Sequence, residues 1–141
     1  MARGVLGDAM STLQLEVVTP DKTVVSDQVE MAICPGVAGE FGVLPNHVSI
    51  LSALKIGDLR YRVNGKDEHV FISGGFADMN NNVLSILAES AEMAKDIDEA
   101  RAKAAKERAE KRLAQKSDTV DETRANAALQ RAIVRLQVCR S

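Results

Sequence analysis

The sequence predicts an α+β protein, an antiparallel β-sandwich or flattened barrel followed by a two-helix antiparallel hairpin. Three observations predict it. All nine Gly, all three Pro and all four aromatic residues lie at or before Phe76, and the chain from Ala77 to Ser141 is dominated by Ala, Glu, Lys and Arg. Gly and Pro punctuate short strands, whereas the second mixture favours long helices. Apolar residues before the divide alternate with polar ones, the period of a half-buried strand. Charge divides as well: residues 1–94 carry 6 basic and 12 acidic side chains, and residues 95–141 carry 12 basic and 8 acidic. The implied domains are a leader over 1–10, a sandwich over 11–92 and a helical hairpin over 93–141.

Each element follows in chain order. Residues 1–10 fit neither pattern and read as a disordered extension or a cloning remnant. Leu13, Leu15 and Val17 mark a first strand; Val29, Met31 and Ile33 a second stretch; Leu59, Tyr61 and Val63 a third. Asn64-Gly65 before His69-Val70-Phe71-Ile72 is a two-residue hairpin signal, since both turn positions tolerate positive φ. Asn80-Asn81-Asn82 turns a further hairpin into Leu84, Ile86 and Ala88. So many short strands argue for an all-antiparallel sandwich. Asp96-Ile97-Asp98-Glu99 resembles a capping box, Asp96 as acceptor with Glu three residues on. The helix it opens runs to about Gln115. Lys116-Ser117-Asp118 breaks it, and Thr119-Val120-Asp121-Glu122 is a second capping box for a helix reaching about Gln137. So short a connection makes the helices antiparallel neighbours. Leu129, Ile133 and Leu136 form the second helix's apolar stripe, while the first has little beyond Ile97, Leu113 and alanines, so the hairpin is thinly packed.

Composition excludes several classes. With 45% hydrophobic and 27% charged residues the chain is not wholly disordered. Aromatics are 3% with no Trp, a poor supply for stacking single-stranded nucleic acid, and the acidic body argues against nucleic-acid binding through the basic helices. No apolar run reaches the ~20 residues of a membrane span. Cys34 and Cys139 lie far apart, without metal-ligand spacing, and fit a reducing compartment. His47 and His69 have no Ser or Cys at motif spacing, and His69 reads as a sheet-surface residue. Ser73-Gly74-Gly75-Phe76 is too short for a phosphate loop and serves a bulge or a close strand approach. An independent enzyme is disfavoured.

Arginines stand at 101, 108 and 112 on the first helix and at 124, 131 and 135 on the second, the same i, i+7, i+11 spacing, so each triple shares a helical face. One reading is a pair of solvated stripes with acids such as Asp118 or Glu110 nearby. Another is a cleft for a polyphosphate or an acidic protein surface, for which guanidinium is suited, with Asp98 and Glu92 orienting the forks or accepting from ribose or base. The loop from Pro35 to His47, with Glu40 among turn residues, is either a plain connection or a contact surface.

Four segments, in order, resemble the epsilon subunit of bacterial F-type ATP synthase: Leu15-Glu16-Val17-Val18-Thr19-Pro20, Gly39-Glu40-Phe41-Gly42-Val43-Leu44-Pro45-Asn46-His47, Ser73-Gly74-Gly75-Phe76-Ala77 and Ile97-Asp98-Glu99-Ala100-Arg101-Ala102. The resemblance covers Ser11 to Val138; the leader has no counterpart in it. It implies a flattened sandwich plus two helices, and a non-catalytic rotor subunit on the cytoplasmic face of the bacterial inner membrane. The sandwich would bind gamma and rest on the c-ring, with Glu40 and His47 facing the c-ring's loops. The helices would switch between a folded hairpin and an extended form that reaches the alpha and beta subunits and blocks ATP hydrolysis. The family's nucleotide motif is matched by Ile97, Asp98, Arg101 and Ala102, and further ATP-contacting positions by Glu92, Arg108, Arg131 and Arg135. ATP is then a regulatory ligand and no cofactor is required. The six arginines are expected to repel one another in the folded hairpin until ATP bridges them. The alternative to the rotor subunit is a free-standing ATP-binding sensor module, from which co-purification with gamma would separate it.

Overall fold

The computed structural model describes residues 11–115 and 119–141, without the side chains of residues 119–121. Eight strands are followed by a single 3₁₀ turn and two helices. The strands are β1 (Leu13–Val18), β2 (Thr23–Val29), β3 (Met31–Gly36), β4 (Gly39–Val43), β5 (Ile50–Val63), β6 (Lys66–Asn80), β7 (Val83–Ala88) and β8 (Ala91–Met93). The 3₁₀ turn spans Ala94–Asp96, and the helices are α1 (Glu99–Ala114) and α2 (Thr119–Cys139). The expected leader, the break at Lys116–Asp118 and the side chains of the second capping box lie outside the described residues.

The sheet order is β2-β1-β7-β6-β5-β3-β4, with β8 on β6. The long hairpin β5–β6 is its spine, paired from Ile50↔Met79 to Val63↔Lys66. Its turn is Asn64-Gly65 with φ 52° and 77°, the left-handed pair that the sequence motif supplies. Asn81 and Asn82, with φ 53° and 61°, turn β6 into β7 likewise. The expectation of an all-antiparallel sheet is corrected at one place: β1 and β7 run parallel, Leu15 beside Leu84 and Val17 beside Ile86. Five intervening strands join them, so no tight turn dictates their direction. A second correction concerns Val29, Met31 and Ile33. The strand breaks at Glu30, and Ala32 and Cys34 point inward in β3 while Met31 and Ile33 stay half-buried.

Leu13, Leu15, Val17, Leu59, Tyr61, Ile72, Met79, Leu84 and Ile86 build the sandwich core, all buried. Gly75 sits where β6 leaves β8 for β7; with φ 135°, a Cβ there would collide with the Leu87 carbonyl oxygen. Val70, Phe71 and Ile72 are consecutive and all fully buried, which breaks the alternation of a one-faced strand. Val70 and Ile72 face the sandwich core; Phe71 lies on the opposite face, covered by Val134 and Val138 of α2, with Ile56, Ala94 and Ile97 around them. That small cluster seats the hairpin on the sheet. Beyond it, α1 and α2 meet through small residues, with Ala102, Ala109, Ala125 and Ala132 buried. Leu129 and Ile133 are only half-buried, so the expected stripe is corrected to Val134, Leu136 and Val138, displaced because the helix must cover the sheet as well as α1. Arg140, just past the end of α2, pairs at 2.9 Å with Glu99 at the start of α1, so the end of one helix lies beside the start of the other and the hairpin is antiparallel.

Candidate functional site

α1 starts where the chain leaves the sheet. Asp98, extended at φ −82° and ψ 105°, caps it: the carboxylate accepts from the Arg101 N–H at 3.1 Å. The expected cap at Asp96 is corrected by this geometry. Asp96 closes the preceding 3₁₀ turn, and the extended Ile97 separates it from the helix. From this start, Arg101 and Arg108 lie seven residues apart on one face, with Ala105 between them.

That face, the foot of α2 and the β8 strand enclose an open cavity of about 460 Å³ lined by Ser90, Glu92, Asp96, Ile97, Asp98, Arg101, Ala102, Ala105, Arg108 and Arg135. The alanines leave the space, and the charged groups face it. Three carboxylates stand against three guanidiniums, so the formal charge cancels. Their commitments differ. Arg135 Nε donates to Glu92 Oε1 at 2.6 Å, and its guanidinium carbon lies 4.3 Å from the centre of the Phe71 ring. Glu92 can reach it because Phe71 and Glu92 are register partners on β6 and β8. Asp98 is occupied by the helix cap. Among the described residues, the side chains of Asp96, Arg101 and Arg108 have no hydrogen-bond or ion-pair partner. At the cavity wall the Ser90 hydroxyl shares a hydrogen bond with that of Ser73 at 2.7 Å. The lining therefore offers two uncommitted guanidiniums, one guanidinium on an exchangeable partner and one uncommitted carboxylate. It suits a ligand that is anionic at one end and carries donors at the other.

Of the residues singled out in the sequence, Glu92, Ile97, Asp98, Arg101, Ala102, Arg108 and Arg135 are brought together here. Arg131 is half-buried one turn before Arg135 and does not line the cavity. Arg112 and Arg124 are exposed; Arg124 is eleven residues from Arg135, about 16 Å along the helix. The picture of six mutually repelling arginines thus reduces to three that line the cavity, of which Arg135 is paired with the Glu92 carboxylate. Ser90, Asp96 and Ala105 were missed as lining residues. Phe71, the platform under Arg135, was missed too, although the unbroken Val70-Phe71-Ile72 run already signals a strand covered on both faces.

Glu40 and His47 are held apart by the fold. Glu40 is in the edge strand β4, 3.6 Å from Arg60, and lines a groove on another flank of α2 with Lys55, Asp58, Gln130 and Gln137. His47 follows the Pro45-Asn46 turn, whose Asn46 N–H donates to Asn82 Oδ1 at 2.7 Å, at the end of the sheet where β6 turns into β7. His69 is corrected from surface residue to half-buried partner of Asp58, at 2.8 Å. Cys34 is fully buried, and burial pushes its thiol up to about 12. The outer sheet face carries exposed Leu51, Phe76 and Leu87, with Phe76 and Leu87 directly paired. No helix is long and apolar enough to cross a membrane among the described residues.

Two family models match the chain in tandem: the β-sandwich domain of the ATP synthase delta/epsilon chain over residues 12–94 and its long α-helix domain over residues 95–140. The ATP synthase epsilon chain of Nitratidesulfovibrio vulgaris (strain DP4) is 61% identical over 104 residues, covering 74% of this chain and 78% of that one. The epsilon chain of Lawsonia intracellularis is 54% identical over 127 residues, covering 90% of this chain and 96% of its own. Among solved structures, a chain of the Euglena gracilis mitochondrial ATP synthase OSCP/F1/c-ring assembly matches with a TM-score of 0.75 at 27% identity, over 85% of this chain and 76% of that one. A chain of the Tetrahymena thermophila central stalk and c-ring shares the fold, with a TM-score of 0.59 at 12% identity, over 89% of this chain and 95% of that one. With sandwich, hairpin and their junction all matched, the chain belongs to the epsilon-chain family of F-type ATP synthases.

Proposed function

We propose that this chain is the non-catalytic regulatory subunit of the synthase rotor, peripheral on the cytoplasmic face of the membrane. In this reading the sandwich joins gamma to the c-ring, and the hairpin is a movable brake on ATP hydrolysis whose docked form is stabilised by ATP. The observation that carries the nucleotide part is the cavity between hairpin and sheet, where Arg101 and Arg108 wait without partners and Arg135 needs only to exchange one carboxylate for a phosphate. The walls belong to β8, α1 and α2 together, so the cavity exists only while the hairpin is docked. A ligand filling it binds the docked form alone. At about 100 times its dissociation constant such a ligand contributes about 2.7 kcal/mol, enough to reverse a balance of that size. Without ATP, the basic helices are free to seek acidic surfaces on the catalytic beta subunits.

The movable part of the reading is supported by how little holds the hairpin down. Phe71, Val134 and Val138 are the buried members of the docking cluster, and one partly exposed ion pair joins β8 to α2. The exposed row at Leu51, Phe76 and Leu87 favours a complexed subunit over a free-standing sensor, because it offers gamma an apolar surface that a solitary domain would cover. Isothermal titration of the isolated chain with ATP, with and without Mg²⁺, tests the nucleotide part, and saturable one-site binding is expected. An absence of heat under both conditions sinks the sensor while leaving the brake to be tested by hydrolysis in the reconstituted complex.

A further inference from the structure

One carboxylate on the sheet is only half satisfied. Asp58 Oδ2 lies 2.8 Å from His69 Nδ1, while Asp58 Oδ1 is shut off from solvent and has no hydrogen-bond partner among the described residues. The pair sits on the face that the hairpin covers. Asp58 is the register partner of Phe71, the ring under α2, and His69 comes two residues before Phe71 on the same side of β6. Asp58 also lines the groove along α2 with Gln130, Val134 and Gln137. We propose that Asp58 and His69 form a proton-sensitive latch, and that the hairpin docks more tightly when the imidazole is charged. The proposal rests on the movable-hairpin part of the reading above and is independent of ATP.

The surroundings leave His69 as the group that can neutralise Asp58. On β5 and β6, Arg62 is held by Asp67 at 2.9 Å, and Arg60, the register partner of His69, lies 3.6 Å from Glu40 of β4. Lys55 reaches the groove but is exposed. On the β8 side Glu92 is held by Arg135, and Lys95 and Asp96 of the 3₁₀ turn are exposed. What α2 lays into the groove is Gln130, Val134 and Gln137, all uncharged; Arg140 is paired with Glu99, and Arg131 does not line the groove. Docking therefore brings uncharged surface over a carboxylate. With neutral imidazole the pair carries one net negative charge, which is costly to cover; with imidazolium it is neutral. By linkage, docking is strongest at the acid end, where the imidazole is already charged, and weakens as pH rises and the proton leaves. In the brake reading, acid keeps the helices on the sheet and alkali releases them toward the catalytic subunits.

The test is amide exchange of the full chain without nucleotide, between about pH 5 and 8, the range over which imidazole changes charge, with rates corrected for the pH dependence of unstructured amides. Peptides of α1 and α2 report docking; peptides of β1 and β7, the latter paired with the other end of β6, report the sandwich. The hairpin's opening constant should rise about fivefold from the acid to the alkaline end, the scale of a pair whose side chains are 20% and 26% exposed. Protection of β1 and β7 should not follow it. His69→Gln, uncharged throughout, should abolish the dependence. Asp58→Asn leaves the imidazolium without its carboxylate, so acid should now loosen the hairpin, a reversal of sign that mere loss of packing cannot produce. A parent hairpin indifferent to pH, or one still tightened by acid in His69→Gln or Asp58→Asn, overturns the latch and leaves the movable hairpin standing. A hairpin that opens only together with the sandwich overturns both.

Discussion

Arg135→Ala is the substitution that most directly measures how firmly the hairpin is held before any ligand arrives. Arg135 makes two contacts that cross from α2 to the sheet: the 2.6 Å hydrogen-bonded ion pair with Glu92 and the 4.3 Å approach to the Phe71 ring. A charge-assisted hydrogen bond of this kind contributes about 1.5–3 kcal/mol when shielded. Here the two side chains are 28% and 35% exposed, so solvent screening reduces it to about 1 kcal/mol. The cation–π contact adds about 0.5–1 kcal/mol. Together, about 2 kcal/mol corresponds to a ~30-fold shift of the docking equilibrium toward release. The assay is amide exchange of the nucleotide-free protein, read on peptides of α1 and α2 against peptides of the sandwich. Hairpin peptides should exchange about 30-fold faster while β5 and β6 keep their protection. Arg135→Lys should fall between, since Lys keeps the charge but neither the planar fork nor the stacking. Hairpin protection unchanged by Arg135→Ala would refute the reasoning and assign docking to the apolar cluster alone; equal loss in the sandwich would refute it differently, by showing that the two parts open as one.

Three further outcomes follow from the same geometry. Val138→Ala removes a fully buried side chain from the Phe71 cluster and should destabilise docking by about 2 kcal/mol, read by the same exchange experiment, without lowering the sandwich melting temperature. Gly75→Ala forces a Cβ against the Leu87 carbonyl oxygen at φ 135° and should cost the sandwich several kcal/mol, seen as a fall of ten degrees or more on the order of a small domain's response, in thermal melts. Alkali should unfold the sandwich early. Burial pushes the Cys34 thiol from 9.0 to about 12, and burial, aided by Glu68 and Asp27, pushes Tyr61 from 10.0 to about 12. Both groups thus hold their protons more tightly folded than unfolded. Their contribution is complete below about pH 9 and declines as pH rises toward 12, at up to about 1.4 kcal/mol per pH unit for each. Urea midpoints between pH 8 and 11 check this, and Cys34→Ala should remove the part of the decline that begins near pH 9.

The division into sandwich and hairpin was legible because composition itself changes at the boundary, and the Asn64-Gly65 and Asn81-Asn82 turns were legible because few residues tolerate their φ. The parallel pairing of β1 with β7 was not, since a period of two says which face a side chain takes and nothing about which strand lies beside it. The cap shows a subtler limit. Asp96 and Asp98 both have the right chemistry, and only the extended backbone at Ile97 decides between them. Most of the cavity's lining was accessible through helical spacing and family resemblance. Spacing alone overextended it: Arg112 and Arg124 share the faces of Arg108 and Arg135, yet the cavity spans only the turns of the hairpin nearest the sheet. Phe71 went unnoticed as a platform because the residues that cover it, Val134 and Val138 of α2, lie more than sixty residues further along the chain.

The distribution of charge changes how the proposed switch would work. Had six arginines converged, the empty hairpin would be held open by repulsion and any polyanion would close it. Instead Glu92 occupies Arg135, and with Asp96 and Asp98 beside Arg101 and Arg108 in the lining, the formal charge of the cavity wall sums to zero. A phosphate chain entering this cavity must displace Glu92 from Arg135 or share the guanidinium with it, and part of its Coulombic gain goes to replacing what was lost. In the proposed complex, net stabilisation would come from Arg101 and Arg108, the two arginines of the lining without partners among the described residues. Two consequences are testable against each other. Arg108→Ala should weaken ATP binding while leaving the ligand-free docking equilibrium nearly unchanged, because in the empty form Arg108 holds nothing. Arg135→Ala should move both. If Arg108→Ala loosens the empty hairpin as much as Arg135→Ala does, the docked state depends on the summed field of the helices and the pairwise picture fails.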